Sequence, residues 1–219
     1  MVNSKHAFWM ALVFTAAVFI IGIIFGFFLE YNRSNELAIN SLRSEINLLD
    51  EQVRSKVITN NNISCDIAKE SIFAFADKIY IEAFKLEKYD ASNKFIDDLK
   101  EIHKRYDLLR MILWDEATII KNNCDSNFHT IVYFFDYNVE DINIKSQQTA
   151  ISRLITDMKN KNPDEILVIP IAANLDLESV KLTLRNYNIT EKPAILIDEG
   201  ESINHVPSFT EFENAIFQT

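Results

Sequence analysis

Several patterns that enzymes commonly use are missing from this sequence. Only three of its 219 residues are glycine, and they form no glycine-rich loop of the kind that cradles phosphates. The four histidines are scattered, with no metal-ligand spacing to one another or to the two cysteines. No serine nucleophile elbow and no helix-borne pair of histidines is present. We therefore expect no catalytic residue, no metal site and no cofactor, and a protein that is not an enzyme.

Positive charge is also scarce. The chain has 22 lysines and arginines against 32 aspartates and glutamates, which gives a formal net charge of -10. Proteins that bind nucleic acid need a basic face for the phosphates, and no such face is indicated here. The charge therefore argues against a nucleic-acid partner.

A long uncharged run stands near the N-terminus. Ala7–Leu29 contains no charged residue, and its roughly 23 residues would form a helix of about 35 Å, enough to cross a hydrocarbon core of about 30 Å. A secretory signal peptide is the alternative, but its apolar part is shorter and ends in a cleavage site of small residues. We expect residues 1–30 to be an uncleaved anchor of a single-pass cell-membrane protein. Lys5 gives the N-terminal flank a slight positive bias, which favours a cytoplasmic N-terminus and a C-terminal domain outside the cytoplasm.

Residues 31–58 are expected to form a helical stalk. Its apolar residues follow the alternating three-four spacing of a coiled-coil seam: Ile39, Leu42, Ile46, Leu49 and Val53. The anchor also contains Gly22 and Gly26, a pattern that allows close helix approach in lipid. A parallel homodimer explains both features. The alternative is that the stalk helix packs on its own domain.

Residues 59–126 are expected to form an antiparallel helical hairpin. Apolar residues at helical spacing predict one helix over about 64–88 and a longer one after it. Cys65 and Cys124 bracket this hairpin, so a structural disulfide is one interpretation, and two buried free thiols or a redox-active pair are the others. Because the later helix looks several residues longer, a straight hairpin would leave the thiols about 10 Å apart, too far to bridge without a bend.

The pattern changes over residues 127–219. Apolar and β-branched runs predict strands at 129–135, 165–172, 193–197 and 202–206, and periodic segments predict helices at 146–161, 175–187 and after Ser208. The capping box Ser208-Phe-Thr-Glu211 marks the start of the last helix. The order is strand, helix, strand, helix, strand, strand, helix, and the usual connection rules leave few topologies for it.

The passage Tyr187-Asn-Ile-Thr-Glu-Lys-Pro193-Ala-Ile-Leu-Ile resembles the thioredoxin-like superfamily, in which a helix ends and a cis-proline opens the third strand. The resemblance covers about 90 residues. It implies a thioredoxin-like βαβαββα domain with a cis bond between Lys192 and Pro193. It also implies a surface beside that proline that grips an extended peptide.

The dithiol of that family is missing. The matching passage is Asp136-Tyr-Asn-Val-Glu-Asp-Ile-Asn-Ile-Lys145, and the cysteine positions fall near Ile142 and Lys145, which cannot exchange disulfides. We interpret this passage, with Asp136 and Asp141, as a solvated pseudo-active-site loop. The expected α/β protein therefore presents a redox-inactive domain for protein or peptide binding. Two alternatives stay open: a membrane-bound thiol–disulfide oxidoreductase that uses Cys65 and Cys124, and a structural subunit of a membrane complex.

Overall fold

The computed structural model describes residues 4–60, 63–90, 96–124 and 127–217. The chain divides into two compact units, Met1–Asp50 and Glu51–Thr219, which we call the N-terminal and C-terminal units. The described residues form helices and a four-stranded mixed sheet. The predicted α/β class is therefore confirmed.

The first helix, α1, covers Ser4–Asn60. The segments that we expected as an anchor and a stalk therefore belong to one helix. Within it, Phe8–Gly26 is long and apolar enough to cross a membrane, and the described residues of the chain bury none of its described side chains. An added Cβ at Gly22 or Gly26 would meet no atom of the described residues within 4 Å.

Two further helices form the expected hairpin in the C-terminal unit: α2 is Cys65–Asp90 and α3 is Ile96–Asn123. A disulfide joins Cys65 to Cys124, with the two Cα atoms 5.7 Å apart. The expectation of a gap of about 10 Å is wrong, because the helices have 26 and 28 residues and their ends therefore meet. Cys65 opens α2 and Cys124 follows α3 directly, so the bridge closes the open end of the hairpin.

The rest of the C-terminal unit alternates strands and helices in the predicted order. The strands are β1 His129–Phe135, β2 Ile166–Ala172, β3 Ala194–Ile197 and β4 Ser202–Ile203, and the helices are α4 Ile142–Lys161, α5 Glu178–Asn186 and α6 Phe209–Phe217. The strand order in the sheet is β2-β1-β3-β4. β1 is parallel to β2 and antiparallel to β3, and β3 is antiparallel to β4.

Both faces of this sheet are covered. Successive side chains of a strand point to opposite faces, and on one face Ile131 and Tyr133 pack with residues of α4 and α6, including Ile151, Met158, Phe212 and Ile216. On the other face the ring of Trp114 from α3 meets Phe134 edge-on, with centroids 6.0 Å apart. The hairpin therefore serves as a cover for the sheet, which is why both faces of β1 are apolar.

Two helix starts show how local side chains set the boundaries. Ser208 and Glu211 exchange the two hydrogen bonds of the predicted capping box, each 3.2 Å. The start predicted for α4 at residue 146 is wrong. The carboxylate of Asp141 accepts hydrogen bonds from the N–H groups of Asn143 and Ile144, so this N-cap begins the helix four residues earlier.

Candidate functional site

The segment before β3 and the loop after β1 meet at one edge of the sheet. The Lys192–Pro193 peptide bond is cis, in agreement with the expectation from the family resemblance. Ala194 pairs with Phe134, so Pro193 stands beside the end of β1. β1 and β3 are antiparallel neighbours, and the exit of one strand therefore lies next to the entrance of the other.

An ion pair connects these two segments. The Nζ of Lys192 lies 3.4 Å from the Oδ1 of Asp136. This carboxylate oxygen is buried, and no donor within the described residues makes a hydrogen bond to it. The amide of Gln148 holds the same loop by donating to the Asp136 carbonyl, at 3.0 Å. A buried carboxylate oxygen without a hydrogen bond is costly, and the nearby charge of Lys192 offsets part of that cost.

The first turn of α4 borders the loop. Ile142 and Lys145 were expected in the pseudo-active-site loop, and this expectation is wrong, because both stand in the first turn of α4 behind the Asp141 cap. Ile142 is 81% exposed, the highest value among the large apolar side chains that the structure describes. Single exposed apolar side chains are common on protein surfaces, so Ile142 supports a contact role only together with the other features of this edge.

A second layer of side chains supports the loop from the hairpin and from β2. The backbone of Tyr137 and the side-chain amide of Asn174 exchange hydrogen bonds of 2.7 and 2.9 Å, which join the loops after β1 and β2. The rings of His103 and Tyr137 lie 4.3 Å apart. α3 therefore touches the loop that carries Asp136.

Asp107 is a buried carboxyl group in the same layer. It accepts hydrogen bonds from Arg110, at 2.9 Å, and from the backbone N–H of Ala172, at 3.2 Å. Burial raises the pKa of Asp107 to about 6, although the charge and hydrogen bond of Arg110 oppose the rise. Sequence reasoning missed this residue. The local signal is an acidic side chain, with Arg110 three residues later, within the otherwise apolar stretch 106–113 of α3.

A second polar cluster lies where β3 turns into β4, and sequence reasoning identified only the turn. Asp198 accepts hydrogen bonds from the N–H of Thr130, at 2.8 Å, and from Lys121, and it lies 2.6 Å from the Nδ1 of His129. Burial favours a higher pKa, but these hydrogen bonds outweigh it, and the pKa of Asp198 is lowered. Every polar group in this cluster has a partner from α3, β1 or the turn. We interpret the cluster as a clamp between the hairpin and the sheet.

The cysteines do not belong to the site around Pro193. Both lie at the open end of the hairpin and are joined to each other, so the chain has no free thiol. The structural-disulfide interpretation is therefore the one that the structure shows. The oxidoreductase alternative would have to use this bridge and stays a hypothesis.

No known protein-family model matches this chain, and no curated protein sequence is similar to it.

Proposed function

We propose that the chain is a membrane-anchored binding protein whose sheet domain is thioredoxin-like and receives an extended peptide segment beside Pro193. The element order, the sheet order β2-β1-β3-β4 and the cis bond before β3 support the thioredoxin-like assignment. Function does not follow from a fold. The binding role rests on the site itself.

The observation that carries the proposal is that one edge of the sheet holds both a carboxylate oxygen without a hydrogen bond and an exposed apolar side chain. The Oδ1 of Asp136 receives no hydrogen bond and faces the Lys192 ammonium at 3.4 Å, and Ile142 projects into solvent at the start of α4. An extended peptide provides both matching features, since its backbone N–H groups donate and its side chains alternate.

The docking mode follows from where the strand ladder begins. β3 pairs with its neighbours only from Ala194 onward, so the backbone of Lys192 lies outside the ladder. In the proposed complex, main-chain groups of the peptide bond to the backbone of Lys192 and its neighbours. This is the strand-addition mode in which backbone bonds give affinity and side-chain contacts give specificity.

A binding role without thiol exchange accounts for the residues at the start of α4. By the resemblance, Ile142 and Lys145 fall near the positions at which thioredoxin-like proteins carry their dithiol, and neither side chain can attack a disulfide. The two cysteines of the chain are joined at the hairpin instead. The residues of the site therefore favour recognition over redox chemistry.

Membrane attachment and orientation are part of the same proposal. Phe8–Gly26 provides the anchor, with the N-terminus in the cytoplasm and the C-terminal unit outside it. The disulfide supports this orientation, because such bridges persist in oxidising compartments and are rare in the cytosol.

A peptide selection tests the binding function directly. The full-length chain, held in lipid nanodiscs, is used to select binders from a library of random short peptides, and affinities are measured by fluorescence anisotropy. We expect Ile142→Glu and Asp136→Asn each to weaken the selected peptides about tenfold or more, a loss of about 1.4 kcal/mol.

The matched control is Leu182→Glu, because Leu182 is also an exposed apolar residue on a helix, α5. This variant should leave peptide affinity unchanged. A library that yields no binder, or binders that Ile142→Glu and Asp136→Asn do not weaken, would contradict the proposed function.

A further inference from the structure

The last part of α1 buries charged side chains and exposes apolar ones. In the C-terminal unit, Glu51 is buried and Arg54 is partly buried against the hairpin, whereas Val53 is 57% and Val57 is 44% exposed. This is the reverse of an ordinary surface helix, which turns its apolar stripe to the core. The described residues of the C-terminal unit therefore leave Val53 and Val57 largely uncovered.

Charged contacts fix which face points to the hairpin. Arg54 makes a paired hydrogen bond to Glu116 on α3, at 2.9 and 2.8 Å, and Lys78 on α2 reaches Glu51 at 2.8 Å. At about 100° per residue, Val53 lies about 160° around the helix axis from Glu51 and about 100° from Arg54. The contacts to the hairpin therefore hold Val53 away from it.

The same apolar positions continue in the N-terminal unit. Ile46 is 55% and Leu49 is 51% exposed. In the heptad that the sequence spacing defines, Ile46 and Val53 occupy position a and Leu49 occupies position d. β-branched residues at a with leucine at d favour two parallel strands. We call Ile46, Leu49 and Val53 the seam.

The position of the charged contacts in this heptad agrees with such pairing. Glu51 falls at position f and Arg54 at position b, which lie on the outside of a two-stranded coiled coil. The hairpin therefore attaches to the side of α1 that a coiled-coil partner leaves free. The α1 helix can therefore pack on the hairpin and pair with a second α1 helix at the same time, because the two contacts use different residues.

We propose that the seam is the contact between two copies of this chain, paired in parallel through α1. From residue 39 to residue 53 the heptad pattern gives a strip about 21 Å long and about 10 Å wide on each helix. Two such strips remove roughly 420 Å² of surface, less than the roughly 1,000 Å² that a specific interface in solution needs.

The membrane anchor compensates for this small contact area by holding the two copies together. The inference therefore rests on the anchoring part of the proposed function. Two copies that cross the same bilayer in the same direction are already parallel and confined, which raises their effective concentration. Gly22 and Gly26 have room for a close neighbour among the described residues and allow close helix approach within the lipid.

Cysteine cross-linking in a bilayer tests the pairing. The full-length chain has no free thiol, so an introduced cysteine is the only reactive one. Leu49→Cys and, as the matched control, Asn47→Cys are reconstituted at low density in phosphatidylcholine vesicles and treated with a mild oxidant. Both residues are exposed, but Asn47 lies about 160° around the helix from Leu49.

We expect a cross-linked dimer with Leu49→Cys and about tenfold less of it with Asn47→Cys. Adding Ile46→Lys to Leu49→Cys should reduce the cross-link about tenfold, because it places a charge in the seam, and adding Asn47→Lys should not. Equal cross-linking at both positions, no cross-link at Leu49, or a cross-link that Ile46→Lys leaves intact would overturn the proposal.

The peptide-binding test and the cross-linking test examine different residues, so one proposal can be contradicted without the other. Ile46 and Leu49 belong to the N-terminal unit, whereas Asp136 and Ile142 belong to the C-terminal unit. A chain that pairs but selects no peptide overturns the binding function alone. A chain that binds peptide without cross-linking at Leu49 overturns the pairing alone.

Discussion

Removing Arg54 should destabilise the C-terminal unit more than the loss of a surface charge would. Its guanidinium makes two hydrogen bonds to Glu116, at 2.9 and 2.8 Å, and one each to Ser71 and Glu51, at 2.9 and 2.7 Å. It also lies 4.2 Å from the centre of the Phe75 ring. Arg54→Ala deletes all of these contacts at once.

The size of the destabilisation follows from the state of Glu116 after Arg54 is removed. Glu116 is 0% exposed, and without Arg54 its carboxylate would be buried without an opposite charge. Breaking a buried ion pair on one side costs about 3–5 kcal/mol. We therefore expect Arg54→Ala to lower the free energy of unfolding by about that amount near pH 7.

The cost should depend on pH in a defined direction. Burial raises the pKa of Glu116, and Arg54 opposes the rise, so its removal raises this pKa further. A carboxyl group with a raised pKa in the folded state contributes most stability at low pH and loses it as the pH rises through that pKa. Arg54→Ala should therefore be closest to the wild type in mild acid and furthest from it at neutral pH.

The assay is denaturant unfolding of the full-length chain in detergent, followed by circular dichroism at several pH values. Arg153→Ala is the control, because Arg153 is exposed on α4, and it should change stability by no more than about 0.5 kcal/mol. The double variant Arg54→Met with Glu116→Leu should recover most of the loss, since replacing both charges by apolar groups is often neutral. A cost for Arg54→Ala below about 1 kcal/mol, or a cost that does not change with pH, would refute the reasoning.

Three further predictions concern other parts of the chain. Asp107→Asn should remove the contribution of this group, about 3 kcal/mol, to the change of stability as the pH rises from about 4 to about 6, because the pKa of Asp107 is raised from 3.8 to about 6 in the folded state. Unfolding curves across that range check this, and an unchanged slope in the variant would contradict it. Reducing the Cys65–Cys124 bridge, which spans 59 residues, should lower stability by about 4 kcal/mol in the chain-entropy model, and an unfolding midpoint that reductant does not move would exclude this contribution. Asp50→Lys should strengthen pairing of the stalks about fivefold, because in the parallel heptad Asp50 at position e faces Glu45 of the partner subunit at position g. Fluorescence energy transfer between labelled chains in vesicles measures the change, with Asn47→Lys as the control, and weaker pairing would argue against the parallel register.

The sequence determined the features that depend on neighbours along the chain. An uncharged run of helix-forming length needs no tertiary contact to be recognised as apolar enough to cross a membrane, and the structure has it as Phe8–Gly26. Periodicity likewise predicted the order of strands and helices. The capping box at Ser208 was visible because both of its partners lie within four residues.

Some local features were still misjudged. The start of α4 was predicted four residues late because the periodic apolar pattern begins only inside the helix, whereas the Asp141 cap sets its true start. The lengths of α2 and α3 were also misjudged, so the sequence overestimated the distance between Cys65 and Cys124. Helix ends depend on single hydrogen bonds, and periodicity does not register them.

The tertiary structure alone decided which charges are buried and which apolar residues are not. Arg54 and Glu116 are 62 residues apart in sequence, and Asp107 meets the N–H of Ala172 across 65 residues. From the sequence alone, charged residues at these positions of a helix would be interpreted as an ordinary solvent-exposed face. Burial raises the pKa of Asp107. Burial also leaves the Glu116 carboxylate dependent on the positive charge of Arg54. The burial of both groups arises only when the chain is packed. The seam on α1 shows the same division: the spacing of Ile46, Leu49 and Val53 is written in the sequence, but only the charged contacts of Glu51 and Arg54 with the hairpin turn Val53 toward solvent.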